Sequence, residues 1–142
     1  MTRILFDTNI LLDVLFERDP HVVVSAQLWD AIEKRRADGL VAAHAVTTIH
    51  YVLAKSSGGQ LAARSLLRML RIFEVATVDD IIIRAAVTAV SGAVPGDFED
   101  AVTAAAAEAA RCNLIVTRDP KGFRHSPVLA IGPGEALRLL SA

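Results

Sequence analysis

The sequence has few cysteines, few aromatic residues and no long apolar run. Its 142 residues include one cysteine, Cys112, which excludes an internal disulfide and is typical of a reducing compartment. No apolar stretch reaches the roughly 18 residues that a membrane-spanning helix needs. The N-terminal residues have no signal-peptide pattern. We therefore expect a cytoplasmic protein that does not span a membrane.

The charge and composition favour one ordinary globular domain. With a net charge of −1, the sequence does not predict a surface that is basic throughout, which argues against tight non-specific binding of RNA. It does not exclude an enzyme that binds a substrate locally through a metal ion. Hydrophobic residues make up 53% and aromatic residues 5%, which favours helices packed around buried strands. The length predicts a single domain over residues 1–142.

Short apolar runs alternate with segments of helical periodicity along the chain. We expect strands over 3–7, 40–43, 73–78, 114–117 and 128–131, and helices over 10–16, 21–37, 45–55, 60–70, 79–90, 97–111 and 134–140. Asn9 is the expected cap of the first helix, and Gly39 is expected to close the second. Residues 94–96 are expected to form a loop.

The predicted strands are continuously apolar, which is typical of strands that are covered on both faces. Their alternation with helices predicts a parallel sheet between two helical layers, a three-layer α/β/α sandwich. We expect about five strands.

Acidic residues follow two of the predicted strands and begin one helix. Asp7 ends the first strand, and Asp119 lies two residues beyond the fourth strand. Ligand sites of open parallel sheets lie beyond the carboxyl ends of the strands, so these acids converge if their strands are neighbours. Asp97 and Asp100 share a helix face, whereas Glu99 points away from Asp97.

Carboxylates gathered in one pocket repel each other unless a cation lies between them. Hard oxygen ligands select Mg²⁺ or Mn²⁺, which can polarise a phosphoryl oxygen and activate water. Each acid also has a local alternative. Asp97 is a good N-cap, Asp7 suits an Asx-turn, and Asp119 precedes Pro120 in a turn.

Three segments resemble the PIN-domain family, which includes the VapC-type toxins of prokaryotic toxin–antitoxin pairs. These are Asp7-Thr8-Asn9-Ile10-Leu11-Leu12-Asp13, Asp97-Phe98-Glu99-Asp100-Ala101 and Leu114-Ile115-Val116-Thr117-Arg118-Asp119-Pro120-Lys121-Gly122-Phe123. They occur in the order and spacing of the family, and the second is similar to a subgroup with an Asp-Phe-Glu-Asp motif. The resemblance covers nearly the whole chain.

The resemblance implies a five-stranded parallel sheet with strand order 3-2-1-4-5, which makes the first and fourth strands neighbours. It implies a Mg²⁺- or Mn²⁺-dependent endoribonuclease whose metal ligands and catalytic acids are Asp7, Asp100 and Asp119. Asp97 is a further expected ligand. Asn9 and Thr117 match polar positions that support the acids.

One position departs from the family pattern. The family usually has a glutamate on the helix after the second strand, and His50 takes that place here. His50 could be a metal ligand, a proton shuttle or a structural histidine, and Glu99 or Asp97 could supply the missing charge. Arg118 and Lys121 are expected to contact RNA phosphates.

The expected function is therefore that of a metal-dependent endoribonuclease, plausibly a toxin with an antitoxin partner, and we expect a homodimer. The alternative is a catalytically weakened module that binds RNA or a protein. A phosphoacceptor receiver domain is disfavoured because no lysine follows the last strand. Neither a Walker A loop nor a Gly-x-Gly-x-x-Gly motif is present, which disfavours nucleotide-binding enzymes.

Overall fold

Five strands form one parallel sheet in the computed structural model of the chain, which describes residues 1–92 and 96–141. The strands are β1 (Arg3–Phe6), β2 (Asp38–Ala42), β3 (Glu74–Ala76), β4 (Leu114–Val116) and β5 (Leu129–Ile131). Their order is β3-β2-β1-β4-β5, and each neighbouring pair is parallel. The strand order that the resemblance implied is therefore confirmed.

Helices connect the strands and pack against one another in pairs. They are α1 (Thr8–Leu15), α2 (Val22–Glu33), α3 (Ala43–Ser57), α4 (Gly59–Met69), α5 (Asp80–Val90), α6 (Phe98–Ala109) and α7 (Pro133–Ser141). A short 3₁₀ helix, Pro120–Phe123, lies between β4 and β5. The helix pairs with the most extensive contacts are α3 with α4, α5 with α6 and α2 with α7. Among the described residues, every helix is too short or too polar to cross a membrane.

The sheet is covered on both faces. Ile4, Leu5 and Phe6 follow one another in β1 and are 0%, 0% and 1% exposed. Since successive side chains of a strand point to opposite faces, helices must cover both sides of the sheet. The three-layer α/β/α arrangement is therefore confirmed.

Two helices end earlier than the periodicity predicts. α2 ends at Glu33 and α6 at Ala109, instead of near residues 37 and 111. Arg35 and Arg111 follow these ends with φ of 60° and 59°. A left-handed residue after a helix terminates it, but glycine or asparagine usually marks that position. Arginine gave no such signal in the sequence.

We expected Gly39 to close the second helix, but it lies inside β2. A β-carbon at Gly39 would come within 2.6 Å of Ile32 and 2.8 Å of Phe73. Glycine is therefore needed because α2 and Phe73 pack directly on the strand. Of the expected loop at residues 94–96, Val94 and Pro95 lie outside the described residues.

Candidate active site

Asp7 lies where β1 ends and α1 begins, and both of its carboxylate oxygens accept hydrogen bonds. Oδ1 accepts from the backbone N–H of Thr8 at 2.9 Å. Asp7 is therefore the N-cap of α1, and the expectation that Asn9 caps this helix was wrong. Oδ2 accepts from Oγ1 of Thr117 at 2.8 Å. Asp7 thus caps α1 and also lies at the carboxyl end of the sheet.

Thr117 and Asp119 follow β4, the strand that pairs with β1. Thr117 is buried, and its Oγ1 also accepts from the backbone N–H of Asp119 at 3.1 Å. Asp119 is exposed and precedes the 3₁₀ helix without a side-chain capping bond to it. One hydroxyl therefore links both strand ends, and the carboxylate of Asp119 is not used as a cap.

Asp97 and Asp100 begin α6. Oδ1 of Asp97 accepts from the backbone N–H of Asp100 at 2.9 Å, so Asp97 is the N-cap of this helix. The local capping role considered for Asp97 is therefore correct. Asp97 is exposed and Asp100 is half-buried.

The surroundings of Asp100 show that the acids lie near one another. The pKa of Asp100 is raised from 3.8 to about 6, mainly by burial and then by the charges of other acids. In order of size, these charges are those of Asp97, Asp7, Glu99 and Asp119. Asp100 is therefore the centre of a negatively charged cluster contributed by three parts of the chain.

Gly122 lets the 3₁₀ helix approach this cluster closely. A β-carbon at Gly122 would lie 2.7 Å from Oδ2 of Asp100 and 3.5 Å from Oδ2 of Asp119. Both oxygens therefore flank the same glycine. Any larger residue would displace the carboxylate of Asp100.

The sequence profile of the PIN domain matches residues 3–121, which is most of the chain. This chain belongs to the PIN-domain family. No curated protein shows a significant match. The subgroup with the Asp-Phe-Glu-Asp motif stays a prediction.

Solved structures share this PIN-domain fold at low sequence identity. VapBC2 from Rickettsia felis, bound to a promoter DNA fragment, has a TM-score of 0.69 and 17% identity, covering 92% of this chain and 98% of that chain. A toxin–antitoxin complex from Klebsiella pneumoniae has a TM-score of 0.67 and 21% identity, covering 91% of this chain and 96% of that chain. VapC20 from Mycobacterium tuberculosis, a toxin that cleaves the sarcin–ricin loop, has a TM-score of 0.64 and 16% identity. It covers 79% of this chain and 86% of that chain.

His44 of this PIN domain lies beside the acids, although no site role was predicted for it. Its Nε2 is 3.3 Å from Oγ1 of Thr103, which donates its own proton to the carbonyl of Glu99 at 3.0 Å. Nε2 must therefore carry the hydrogen. Burial lowers the pKa of His44, although the charges of Glu99 and Asp7 raise it. Nδ1 is buried and has no hydrogen-bond partner among the described residues.

His50, the residue in the family's glutamate position, is exposed on α3. It follows His44 by six residues, so the two side chains are separated by about 120° around the helix. Its metal-binding or proton-transfer role stays a prediction. A signal for His44 existed in the sequence, since it follows the apolar run of β2 as Asp7 follows that of β1.

The two remaining supporting residues differ in position. Asn9 is exposed within α1, and its supporting role stays a prediction. Glu99 is exposed in the first turn of α6, where its charge acts on both Asp100 and His44. Glu99 thus lies near the cluster, although the helical spacing turns it away from Asp97.

The expected RNA contacts, Arg118 and Lys121, also differ. Lys121 is exposed on the 3₁₀ helix. The guanidinium of Arg118 instead pairs with Asp13, a fully buried acid of α1. RNA contact by either residue stays a prediction. Asp13 ends the first of the three motifs, and no role was predicted for it.

The acids are close together but do not form a closed metal cage. Within the described ranges, no group of three or more His, Cys, Asp or Glu side chains is arranged to hold an ion. Mg²⁺ usually keeps several waters and is bound by one or two carboxylates, so a closed cage is not required. Burial raises the pKa of Asp100 most, and the charges of the other acids add a repulsion that a cation would relieve. The donor set therefore fits a hydrated Mg²⁺ or Mn²⁺ ion.

Proposed function

We propose that this PIN domain is a Mg²⁺- or Mn²⁺-dependent endoribonuclease and the toxin of a toxin–antitoxin pair. The observation that carries the proposal is the position of Asp100, whose pKa is raised to about 6 by burial and by four neighbouring acids. Such a concentration of negative charge is unfavourable unless a cation or a function maintains it. Membership of the PIN-domain family supports the same reading.

Asp7, Asp100 and Asp119 would hold the ion, either directly or through its bound waters, with Asp97 as a further ligand. When bound, the ion would polarise a phosphoryl oxygen and lower the pKa of a bound water. Thr117 holds Asp7 in place, and the cap that Asp97 provides keeps the first turn of α6 formed beneath Asp100. Gly122 leaves room for the carboxylate of Asp100.

The surroundings of the acids suit a strand of RNA. A cavity of about 220 Å³ borders Asp97 and Asp100, and its other sides are formed by alanines of α5 and α6, by Glu108 and by residues between 122 and 127. Lys121 is exposed on the 3₁₀ helix next to Gly122, where a cation can bind a phosphate of the strand.

An antitoxin is the proposed protein partner. The similar solved structures include toxin–antitoxin complexes from Rickettsia felis and Klebsiella pneumoniae. The chain exposes large apolar side chains on two helices, which supply area for binding a protein: Leu61 and Leu67 on α4, and Ile81 and Val87 on α5. We also propose a homodimer in the cytoplasm.

The test compares cleavage of a labelled RNA by the wild type and by Asp100→Asn, with Mn²⁺ and with EDTA. Asp80→Asn is the matched control, because Asp80 is also an acid in the first turn of a helix but is exposed on α5. We expect cleavage by the wild type and the control only with Mn²⁺, and none by Asp100→Asn. Cleavage in EDTA, or full activity of Asp100→Asn, would exclude the proposal.

A second candidate is an inactive module that binds RNA or a protein. The observation in its favour is that no three acids of the described residues are arranged to hold an ion. Titration calorimetry with Mn²⁺ separates the two candidates. The enzyme binds Mn²⁺, and Asp100→Asn weakens this binding. The inactive module binds no Mn²⁺ through Asp100, and any RNA it binds is bound equally well with and without the metal.

A further inference from the structure

Asp13 is a carboxylate that is completely buried inside the fold. It lies on α1, six residues after Asp7, and is 0% exposed. Arg118 supplies the nearest positive charge. Its Nε lies 2.8 Å from Oδ2 of Asp13 in an ion pair whose N–H is not aligned for a hydrogen bond, and its NH2 donates to Oδ1 at 3.3 Å. Arg18 approaches Oδ1 less closely, at 3.6 Å.

A buried carboxylate is strongly unfavourable without a partner, so Asp13 restrains the residue that neutralises it. Arg118 stands between Thr117, which bonds to Asp7, and Asp119, whose backbone N–H bonds to Thr117. NH1 of Arg118 also lies 3.3 Å from Nε2 of His21. The segment after β4 is thus attached to α1 through the side chain of Arg118, which lies between Thr117 and Asp119 in the sequence.

We propose that Asp13 and Arg118 are a positioning pair that sets the place of Asp119 in the acidic cluster. This inference rests on the proposed function. Arg118 acts through the backbone of the segment 117–119 rather than by touching RNA. Asp13 cannot reach a substrate because it is fully buried, so it acts through the arginines that neutralise it, and Arg118 is the nearer of the two.

The burial of Asp13 separates this role from the phosphate contact expected for Arg118. If Arg118 binds RNA, its loss raises the KM for RNA while Asp13→Asn leaves KM unchanged. If the two residues position Asp119, both variants weaken Mn²⁺ binding and lower kcat, and neither changes KM. Replacing residues that orient metal ligands typically weakens affinity or activity by about 10- to 100-fold.

The experiment measures kcat and KM on an RNA oligonucleotide, and Mn²⁺ affinity by calorimetry, for Asp13→Asn, Arg118→Gln and the double variant. We expect a loss of roughly ten-fold or more in kcat and in Mn²⁺ affinity for each single variant. The double variant should lose no more kcat or Mn²⁺ affinity than the more impaired single variant, because the effects of residues that act through each other are not additive. Lys121→Gln should raise KM only, and Arg68→Gln on the exposed face of α4 should match the wild type.

Hydrogen exchange gives a measure that does not require activity. The amides of Asp119 and Gly122, bonded to Thr117 Oγ1 and to the carbonyl of Asp119, should exchange faster in Asp13→Asn. If the wild type cleaves no RNA, the proposed function fails, while exchange and Mn²⁺ affinity still test the pair. If a single variant does not fold, Arg118→Lys and the double variant take its place.

Three results would overturn the inference. The first is independent effects of the two substitutions that multiply in the double variant. The second is an increase of KM in Arg118→Gln alone. The third is unchanged exchange at Asp119 and Gly122 when Asp13 is replaced.

Discussion

Oγ1 of Thr117 donates a hydrogen bond of 2.8 Å to Oδ2 of Asp7, across 110 residues of sequence. The same hydroxyl accepts from the backbone N–H of Asp119 at 3.1 Å. This buried oxygen therefore links the acids that follow two neighbouring strands, β1 and β4.

Thr117→Val removes the hydroxyl but keeps the shape of the side chain. We expect a loss of about 1 kcal/mol in the free energy of unfolding, because two partly buried groups lose their hydrogen-bond partner. Urea denaturation measures this loss, and RNA cleavage should fall with it. Thr117→Ser, which keeps the hydroxyl, is the control. Equal stability of the Val and Ser variants would show that the bond has no role.

Asp100 should make the metal-free protein less stable as the pH rises. Its pKa is raised from 3.8 to about 6, so the folded state binds the proton more tightly than the unfolded state. The free energy of unfolding in EDTA should therefore fall between about pH 4 and pH 6. Asp100→Asn should remove this fall and be more stable at pH 7 by about 1 kcal/mol, a value reduced for solvent screening. Adding Mn²⁺ should stabilise the wild type and not the variant.

His44 should contribute to stability with the opposite sign. Because burial lowers its pKa, the unfolded state takes up a proton first as the pH falls below 6.5. The free energy of unfolding should decrease from about that pH downwards, and His44→Gln should reduce the decrease. His50→Gln, at an exposed position of the same helix, is the matched control. A slope unchanged by His44→Gln would contradict the assignment of a buried neutral histidine.

Gly122→Ala should disturb the site more than the fold. The added β-carbon would lie 2.7 Å from Oδ2 of Asp100, so this carboxylate must move. We expect Mn²⁺ affinity to fall by roughly ten-fold, with a small change in the urea midpoint. Gly59→Ala is the control, since no atom lies within 4 Å of the β-carbon it would add. Loss of folding in Gly122→Ala, or unchanged Mn²⁺ affinity, would count against this role.

The sequence predicted the elements of the sheet better than the helix ends. Continuous apolar runs identify buried strands, and β1 and β4 lie where we expected them. The ends of α2 and α6 depended on Arg35 and Arg111 in a left-handed conformation, which arginine rarely signals. Gly39 was misread because glycine suits both a helix end and a crowded strand, and only the contact with Phe73 distinguishes them.

The sequence alone determined which acids could meet. Asp7 and Asp119 end apolar strands, and parallel strands bring their carboxyl ends to one edge of the sheet. The tertiary structure decided what surrounds those acids. His44 rather than His50 lies beside them, and Arg118 turns to the buried Asp13. These pairings join residues far apart in the chain, so they depend on how the helices pack on the sheet, which no local pattern encodes.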